Sequence, residues 1–199
     1  MGCLKNVIRA VVITLAVVGF LSLGGKDLIG GLIGNWFNPS QDVMMERAKK
    51  VGDFSKINDE FEIEKAAGIM GYNAVVAEHK ASGQKMFVVD SKDKTILTKS
   101  DIKSNNAEEK LQSALKRVKY QAISVDDLKV LKHGVMYSYG QEVPYVRFEA
   151  KVKKLPVGDV GGIISVADAS DGRQRLLLSV NEKNKYSQLI SDEFFKQIK

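Results

Sequence analysis

The side chains best suited to acid–base, nucleophilic or metal chemistry are scarce in this chain. Its 199 residues include two histidines, His79 and His133, and one cysteine, Cys3. A zinc site draws on several Cys or His ligands, and general-base catalysis by His needs a nucleophile within hydrogen-bond reach. The two histidines lie far apart in sequence, and neither has a nucleophile at a recognisable spacing. We therefore expect structural histidines, no metal and no cofactor.

Carboxylates are plentiful, and two pairs have a spacing that suggests calcium. Asp90 and Asp93 form one pair, and Asp168 and Asp171 form the other. Neither continues into the Asp-x-Asp-x-Asp-Gly loop and terminal Glu of a calcium-binding hand. Turn formation explains both pairs. Two carboxylates that met in one pocket with displaced pKa values would support hydrolysis, so a carboxylate-based hydrolase stays an alternative.

The glycines do not form a phosphate-binding motif. Gly158, Gly161 and Gly162 precede an expected strand, whereas a phosphate loop leads into the N-terminus of a helix. No Gly-x-Ser-x-Gly nucleophile elbow is present among the serines. These glycines predict a tight loop or a bulge.

One strand alternates clearly between apolar and polar side chains. Over residues 143–153, Val146, Phe148 and Ala150 face one way, and the intervening polar residues face the other. The polar row is the best candidate for a binding surface that the sequence offers. Its candidate binding residues are Tyr145, Arg147, Lys151, Lys153 and the adjacent Lys154.

Local patterns predict the elements that position these residues. Expected hairpins join residues 72–79 to 85–90, 128–139 to 143–153, and 162–168 to 173–181. The third hairpin consists of nearly continuous apolar runs, which predicts central strands covered on both faces. Expected helices span residues 41–50, 106–118 and 185–198.

The first forty residues resemble a membrane-targeting segment. Lys5 and Arg9 precede an apolar run over residues 10–23, which is short for a spanning helix of about twenty residues. An apolar stripe then continues to Trp36 and Phe37, which we expect at the membrane–water interface. We expect an uncleaved anchor with a cytoplasmic N-terminus and an extracytoplasmic domain. A secreted protein after signal cleavage, or a buried helix of a soluble protein, is the alternative.

Composition describes one globular unit. Apolar content is 44%, charged content is 27%, and the net charge of +6 comes without a dense basic run, so nucleic-acid binding is not expected. Residues 1–39 are the expected membrane or signal segment, 40–60 a solvated helical connector, and 61–199 a single α+β domain. The predicted fold class is α+β: an N-terminal membrane helix followed by an antiparallel sheet covered by two or more helices.

The order of elements over residues 120–199 carries a family resemblance. It runs strand, Gly-containing loop, strand, Asp-Gly turn, apolar strand and terminal helix. The loop is Pro156-Val157-Gly158-Asp159, and the helix ends in Phe194-Phe195-Lys196-Gln197-Ile198. This order resembles the PsbP-like α+β sandwich domains. The resemblance implies a binding or assembly role, because that family is largely non-enzymatic.

These observations favour a membrane-anchored, non-enzymatic protein of the bacterial cell envelope. Its exported domain would bind a partner or support assembly. The expected partners are the membrane, through the N-terminal segment, and an envelope protein. The alternatives are an exported carboxylate-based hydrolase and a carrier of a small ligand, which would need an apolar cavity.

Overall fold

A computed structural model describes residues 41–69, 72–90, 98–104, 106–116, 124–153 and 159–199. Its strands are β1 (Phe61–Ile69), β2 (Tyr72–His79), β3 (Lys85–Asp90), β4 (Ser124–Ser138), β5 (Gln141–Lys153), β6 (Asp159–Asp168) and β7 (Gln174–Glu182). The helices within these ranges are α1 (Gln41–Lys49), α2 (Lys99–Lys103), α3 (Ala107–Lys116) and α4 (Gln188–Lys196).

All seven strands form one antiparallel sheet in the order β1-β2-β3-β7-β6-β5-β4. After β3 the chain crosses to the opposite edge at β4 and then returns inwards through β5 and β6. The last strand, β7, closes the sheet by pairing with β3. Strands β3, β6 and β7 are therefore central, and the sheet has two edges, β1 and β4.

The turns carry residues that suit their geometry. Gly83 and Gly172 have positive φ angles of 67° and 75°, which glycine adopts without steric cost. Tyr139 and Gly140 join β4 to β5 with φ angles of 51° and 71°. Two successive positive φ angles define a type I′ turn, whose twist matches that of the paired strands.

Helices cover both faces of the sheet. On one side, which we call the α2/α3 face, Ile102 of α2 and Leu111 of α3 pack against sheet residues such as Phe148 and Leu178. On the other side, the α1/α4 face, Ala48 of α1 and Phe194 of α4 pack against the opposite side of the sheet. Because successive side chains of a strand point to opposite faces, the central strands contribute to two cores, one on each side of the sheet.

Several local predictions are confirmed. Strands β2 and β3 have the predicted bounds and pair as a hairpin. Strands β6 and β7 also pair, and their interior residues are buried throughout, as their nearly continuous apolar runs predicted. The three longer helices that the sequence predicted also form, over Gln41–Lys49, Ala107–Lys116 and Gln188–Lys196 within the described residues.

The predicted fold class is wrong. The described part of the chain is mostly one seven-stranded antiparallel sheet, and 50% of it is strand against 23% helix. Sheet content was underestimated because the strand ends carry residues that favour turns. Asp126 lies within β4 and Gly161 lies within β6, and both pair with β5. Cross-strand pairing outweighs the weak local preference of such residues.

The membrane prediction is also corrected. No helix within the described ranges is long and apolar enough to cross a membrane. The transmembrane helix and signal anchor were predicted on residues 1–39, which lie outside the described residues together with the expected interfacial pair Trp36 and Phe37.

The segment that follows α1 belongs to the core, although it was expected to be a solvated connector. Val51 and Phe54 of this segment are buried in the cluster of the α1/α4 face, together with Ala48 of α1 itself. The backbone N–H of Asp53 donates to the carbonyl of Lys199 at 2.6 Å, which joins this segment to the C-terminus. Truncation before Asp53 would remove part of this core.

Neighbouring glycines in β6 provide a test of the packing on the α2/α3 face. A Cβ on Gly162 would lie 2.4 Å from the Ser179 carbonyl oxygen and 3.0 Å from Cζ of Phe148. A Cβ on Gly161 would meet its nearest atoms at 3.5 Å. We expect Gly162→Ala to lower the free energy of unfolding by about 3 kcal/mol and Gly161→Ala by less than about 1 kcal/mol. Urea denaturation of both variants measures this, and equal losses would contradict the packing described.

Candidate functional site

The polar row of β5 lies on the α1/α4 face and is partly covered. Tyr145, expected to point outwards, has only 6% of its surface exposed. Its ring lies over Gly134 on β4, where an added Cβ would come within 2.4 Å of the ring. Because Gly134 has no side chain, the Tyr145 ring fits over it. Tyr145 is therefore a core residue at the first position of the row.

Arg147, two residues further along β5, is the unusual member of the row. Its guanidinium carbon lies 5.4 Å from the centre of the Tyr186 ring, a cation–π distance. Its Nε is buried and donates to no acceptor in the described part of the chain. A buried donor without a partner costs about 1–3 kcal/mol, so this atom calls for an explanation.

A second cation lies beside Arg147. Lys132 of β4 is paired directly with Arg147 in the sheet register, so both side chains extend from the same face. Within the described residues, neither forms a salt bridge. Asp192 of α4 is the nearby acid, and burial raises its pKa although Gln188 and Lys132 act to lower it. Asp192 thus interacts with Lys132, and within the described residues it accepts no hydrogen bond from Arg147.

The remainder of the predicted row is neutralised or lies outside the described side chains. Glu149 forms a salt bridge of 2.6 Å with Lys183, and Lys151 lies 3.6 Å from Asp127. Lys153 is the last residue of β5, and its side chain is not described; Lys154 lies outside the described residues. Among the described side chains of the row, the candidate surface is therefore Arg147, and Lys132, which the sequence pattern did not indicate, lies beside it.

Tyr186 is held in place beneath Arg147 by a buried polar network. Gln84 donates through Nε2 to the hydroxyls of Ser179 and Ser191, each at 3.0 Å, and its Oε1 accepts from the N–H of Ser187 at 2.9 Å. The Tyr186 hydroxyl lies 3.0 Å from the Ser191 hydroxyl. Burial raises the pKa of Tyr186, so the ring stays neutral and its face is available to a cation. The network fixes the start of α4 on the sheet.

Both histidines have structural partners. His79 Nδ1 lies 2.8 Å from the Ser82 hydroxyl in the β2–β3 turn, and its ring packs 5.2 Å from that of Phe61. His133 Nδ1 lies 2.8 Å from the carbonyl oxygen of Ile102, which ties α2 to β4. These contacts agree with the expected structural roles.

A buried ion pair that no sequence motif indicated lies between β3 and β7. Asp90 is fully buried and accepts from Arg175 at 2.9 Å and from Arg173 at 2.8 Å. Arg175 also bonds Asp171 at 2.6 Å and donates through Nε to the Val51 carbonyl at 2.9 Å. Asp171 therefore has a structural role in both the turn and the ion-pair cluster. A calcium ion is not needed to explain why an aspartate stands at this position.

Two carboxylates meet at a third polar cluster. Glu64 of β1 lies 2.7 Å from Lys85 Nζ, and Glu78 of β2 contacts the same ammonium. Burial raises the pKa of Glu64, the adjacent Glu78 raises it further, and Lys85 opposes both effects. This is the kind of convergence that a carboxylate-based hydrolase would need, although the lysine between the two acids also gives it an ordinary structural explanation.

No group of three or more His, Cys, Asp or Glu side chains in the described ranges is arranged to hold a metal ion. The expected absence of a metal or cofactor stays a prediction. No protein-family model matches the chain, and no curated protein sequence matches it. The resemblance to PsbP-like domains likewise stays a prediction.

The buried Asp90–Arg175 pair yields a stability prediction. Asp90→Asn should lower the free energy of unfolding by roughly 3–5 kcal/mol, because it removes the fully buried carboxylate from Arg175 and leaves that guanidinium only the partly exposed Asp171 as an acidic partner. The control is Asp168→Asn, which removes the half-exposed partner of Lys99 at 2.6 Å and should cost less than about 1 kcal/mol. Chemical denaturation followed by circular dichroism measures both, and similar losses would show that the buried pair has no special role.

Proposed function

We propose that this chain is a non-enzymatic binding or assembly protein that takes an acidic group of a partner at Arg147 and Lys132. The observation that carries the proposal is the buried Nε of Arg147, which has no acceptor among the described residues. A carboxylate from a partner would supply that acceptor by drawing the half-buried Arg147 side chain towards the surface, so that Nε becomes accessible. The partner predicted from the sequence is an envelope protein, and an acidic segment of such a protein suits this surface.

The local chemistry suits a carboxylate. A guanidinium offers a planar fork of N–H donors that can bind both oxygens of a carboxylate, and such charge-assisted bonds are among the strongest in proteins. The Tyr186 ring supports the fork through a cation–π contact, with the guanidinium carbon 5.4 Å from the ring centre. Lys132 adds a second, more mobile positive charge from the neighbouring strand. Binding would therefore depend on Arg147 for geometry and on Lys132 for charge.

The catalytic alternative rests on Glu64 and Glu78. Their shared contact with Lys85 supports it, because it brings two carboxylates together. We place it second, although burial and Glu78 raise the pKa of Glu64, because the Lys85 ammonium between the two acids also gives their convergence an ordinary structural explanation. The carrier alternative and the extracytoplasmic location stay predictions from the sequence.

Substitution at Arg147 tests the binding proposal. The probe is a fluorescently labelled hexaglutamate peptide, and its binding to the full-length chain is followed by anisotropy at low salt. Arg147→Gln should weaken binding about tenfold or more, because a hydrogen bond to a charged group contributes roughly 1.5–3 kcal/mol. Lys151→Gln is the matched control, since it removes an equal charge from the same strand and face, and it should change affinity less than about twofold. Equal losses in the two variants would indicate unspecific attraction and contradict the proposal.

Stability separates a binding role of Arg147 from a structural one. Arg147→Met removes the unpaired buried donor and keeps a long apolar stem over Tyr186. We expect the free energy of unfolding to stay within about 1 kcal/mol of the parent chain or to rise, because replacing an unsatisfied polar group by an apolar one is nearly neutral or stabilising. A loss above about 2 kcal/mol would instead assign Arg147 to the fold.

A further inference from the structure

The edge strand β1 has an irregularity in its pairing with β2. The register shifts between Ile63 and Lys65, so Glu64 is an extra residue with no directly paired residue in β2. A bulge of this kind interrupts the ladder of backbone hydrogen bonds. At this point the contacts of the Glu64 side chain therefore contribute to holding the strand in the sheet.

Glu64 reaches across β2 to a buried cation on β3. Lys85 is only 7% exposed, and its Nζ lies 2.7 Å from Glu64 Oε2. The same ammonium contacts Glu78 of β2, the residue with which Lys85 pairs in the β2–β3 register. Because β2 lies between β1 and β3, one ammonium connects three strands.

The charges of this cluster do not balance. Two ionised carboxylates would face a single ammonium, in a place where the side chains of Glu64 and Glu78 are only 33% and 28% exposed. Two carboxylates that share one site do not both ionise readily. Burial and the adjacent Glu78 raise the pKa of Glu64, and Lys85 acts in the opposite direction. Glu64 therefore binds a proton more readily in the sheet than in water.

Glu78 and Lys85 are the charged groups that act on Glu64 within the described residues. On the far side of Lys85, the residue paired with it on β7 is the apolar Val180. The remaining charged residues near this part of the sheet are Glu62 and Lys65 on β1 and, at the end of β7, Glu182 with its partner Lys185. The cluster thus consists of two acids and one base.

We propose that Glu64, Glu78 and Lys85 form a proton-sensitive contact that holds β1 to the sheet when the two carboxylates share one proton, and that loosens β1 when this proton is lost. With the proton present, Glu64 donates to Glu78, while Glu78 stays bound to the ammonium. Without it, two negative charges lie side by side. The proposal is independent of the binding site proposed at Arg147.

The direction of the pH effect follows from linkage. The pKa of Glu64 is higher when β1 is attached than when the side chain is in water, because burial and Glu78 raise it. Such a group contributes stability that is present at low pH and is lost as the pH rises through the raised pKa. Strand β1 is therefore attached more firmly in mildly acidic solution than in neutral or alkaline solution.

Amide hydrogen exchange in the full-length chain tests the proposal. Observed rates are divided into the intrinsic rates at each pH, which gives protection factors that report local opening. Protection of residues 61–66 should fall several-fold between about pH 5 and about pH 8, relative to the protection of the central strand β6. Constant protection, or protection that rises with pH, would overturn the proposal. A rise would show that the Glu64–Lys85 ion pair alone holds the strand.

Two matched variants identify the group that titrates. Glu64→Gln keeps the shape of the side chain without a titrating carboxyl, so β1 protection should differ less than about twofold between the two pH values. Glu62→Gln removes an equal charge from an exposed position on the same strand, and it should keep the pH dependence of the parent chain. A Glu64→Gln variant that keeps the dependence, or a Glu62→Gln variant that abolishes it, would overturn the assignment.

Discussion

The pairing of β3 with β7 is the constraint on which the rest of the structure depends. It joins the first three strands to the last four, and it brings together residues that are far apart in sequence. Strand β3 carries a buried polar residue at each end, Gln84 just before it and Asp90 as its last residue. Buried polar groups are costly unless they are bonded, so each of them selects specific partners. Together they fix both ends of β3.

Each of these polar residues attaches one part of the α1/α4 face to the sheet. Asp90 orients Arg175, whose Nε holds the Val51 carbonyl and thereby the segment after α1. Gln84 holds the start of α4 through Ser187 and Ser191. The position of Tyr186 follows from that attachment, and Tyr186 in turn supports the guanidinium of Arg147. The proposed binding site is therefore a consequence of polar bonds made at the centre of the sheet.

Local patterns predicted the hairpins but not the partner of β3. The β2–β3 and β6–β7 hairpins follow from alternation and turn residues that are close in sequence. Pairing between β3 and β7 depends on contacts between distant segments, and local periodicity does not encode it. A signal was nevertheless present: Arg175 begins an apolar run and Asp90 ends one, and a charge in a buried strand needs an opposite charge nearby.

The sequence predicted the correct strand and the correct face for the candidate row on β5. It did not predict how much of that row is exposed to solvent. Alternation shows which residues share a face and does not show whether a helix covers that face. Gly134 opposite Tyr145 was an available indication, since a glycine paired with a large ring suggests that the ring folds over it. Residues 48–54 were expected in solvent because charged residues dominate the sequence pattern of α1. The few apolar residues there that enter the core form no clear pattern of their own.

The Arg147 donor without an acceptor is the central claim, and nuclear magnetic resonance of arginine Nε–H groups tests it most directly. The full-length chain is titrated with hexaglutamate, and Arg147→Lys assigns the signal. Arg175, whose Nε donates to Val51 at 2.9 Å, is the internal reference for a bonded group. The account predicts that the Arg147 proton resonates upfield of the Arg175 proton in the free protein and moves downfield as peptide is added. A position typical of a hydrogen-bonded group before addition, or no movement while the peptide binds, would contradict it.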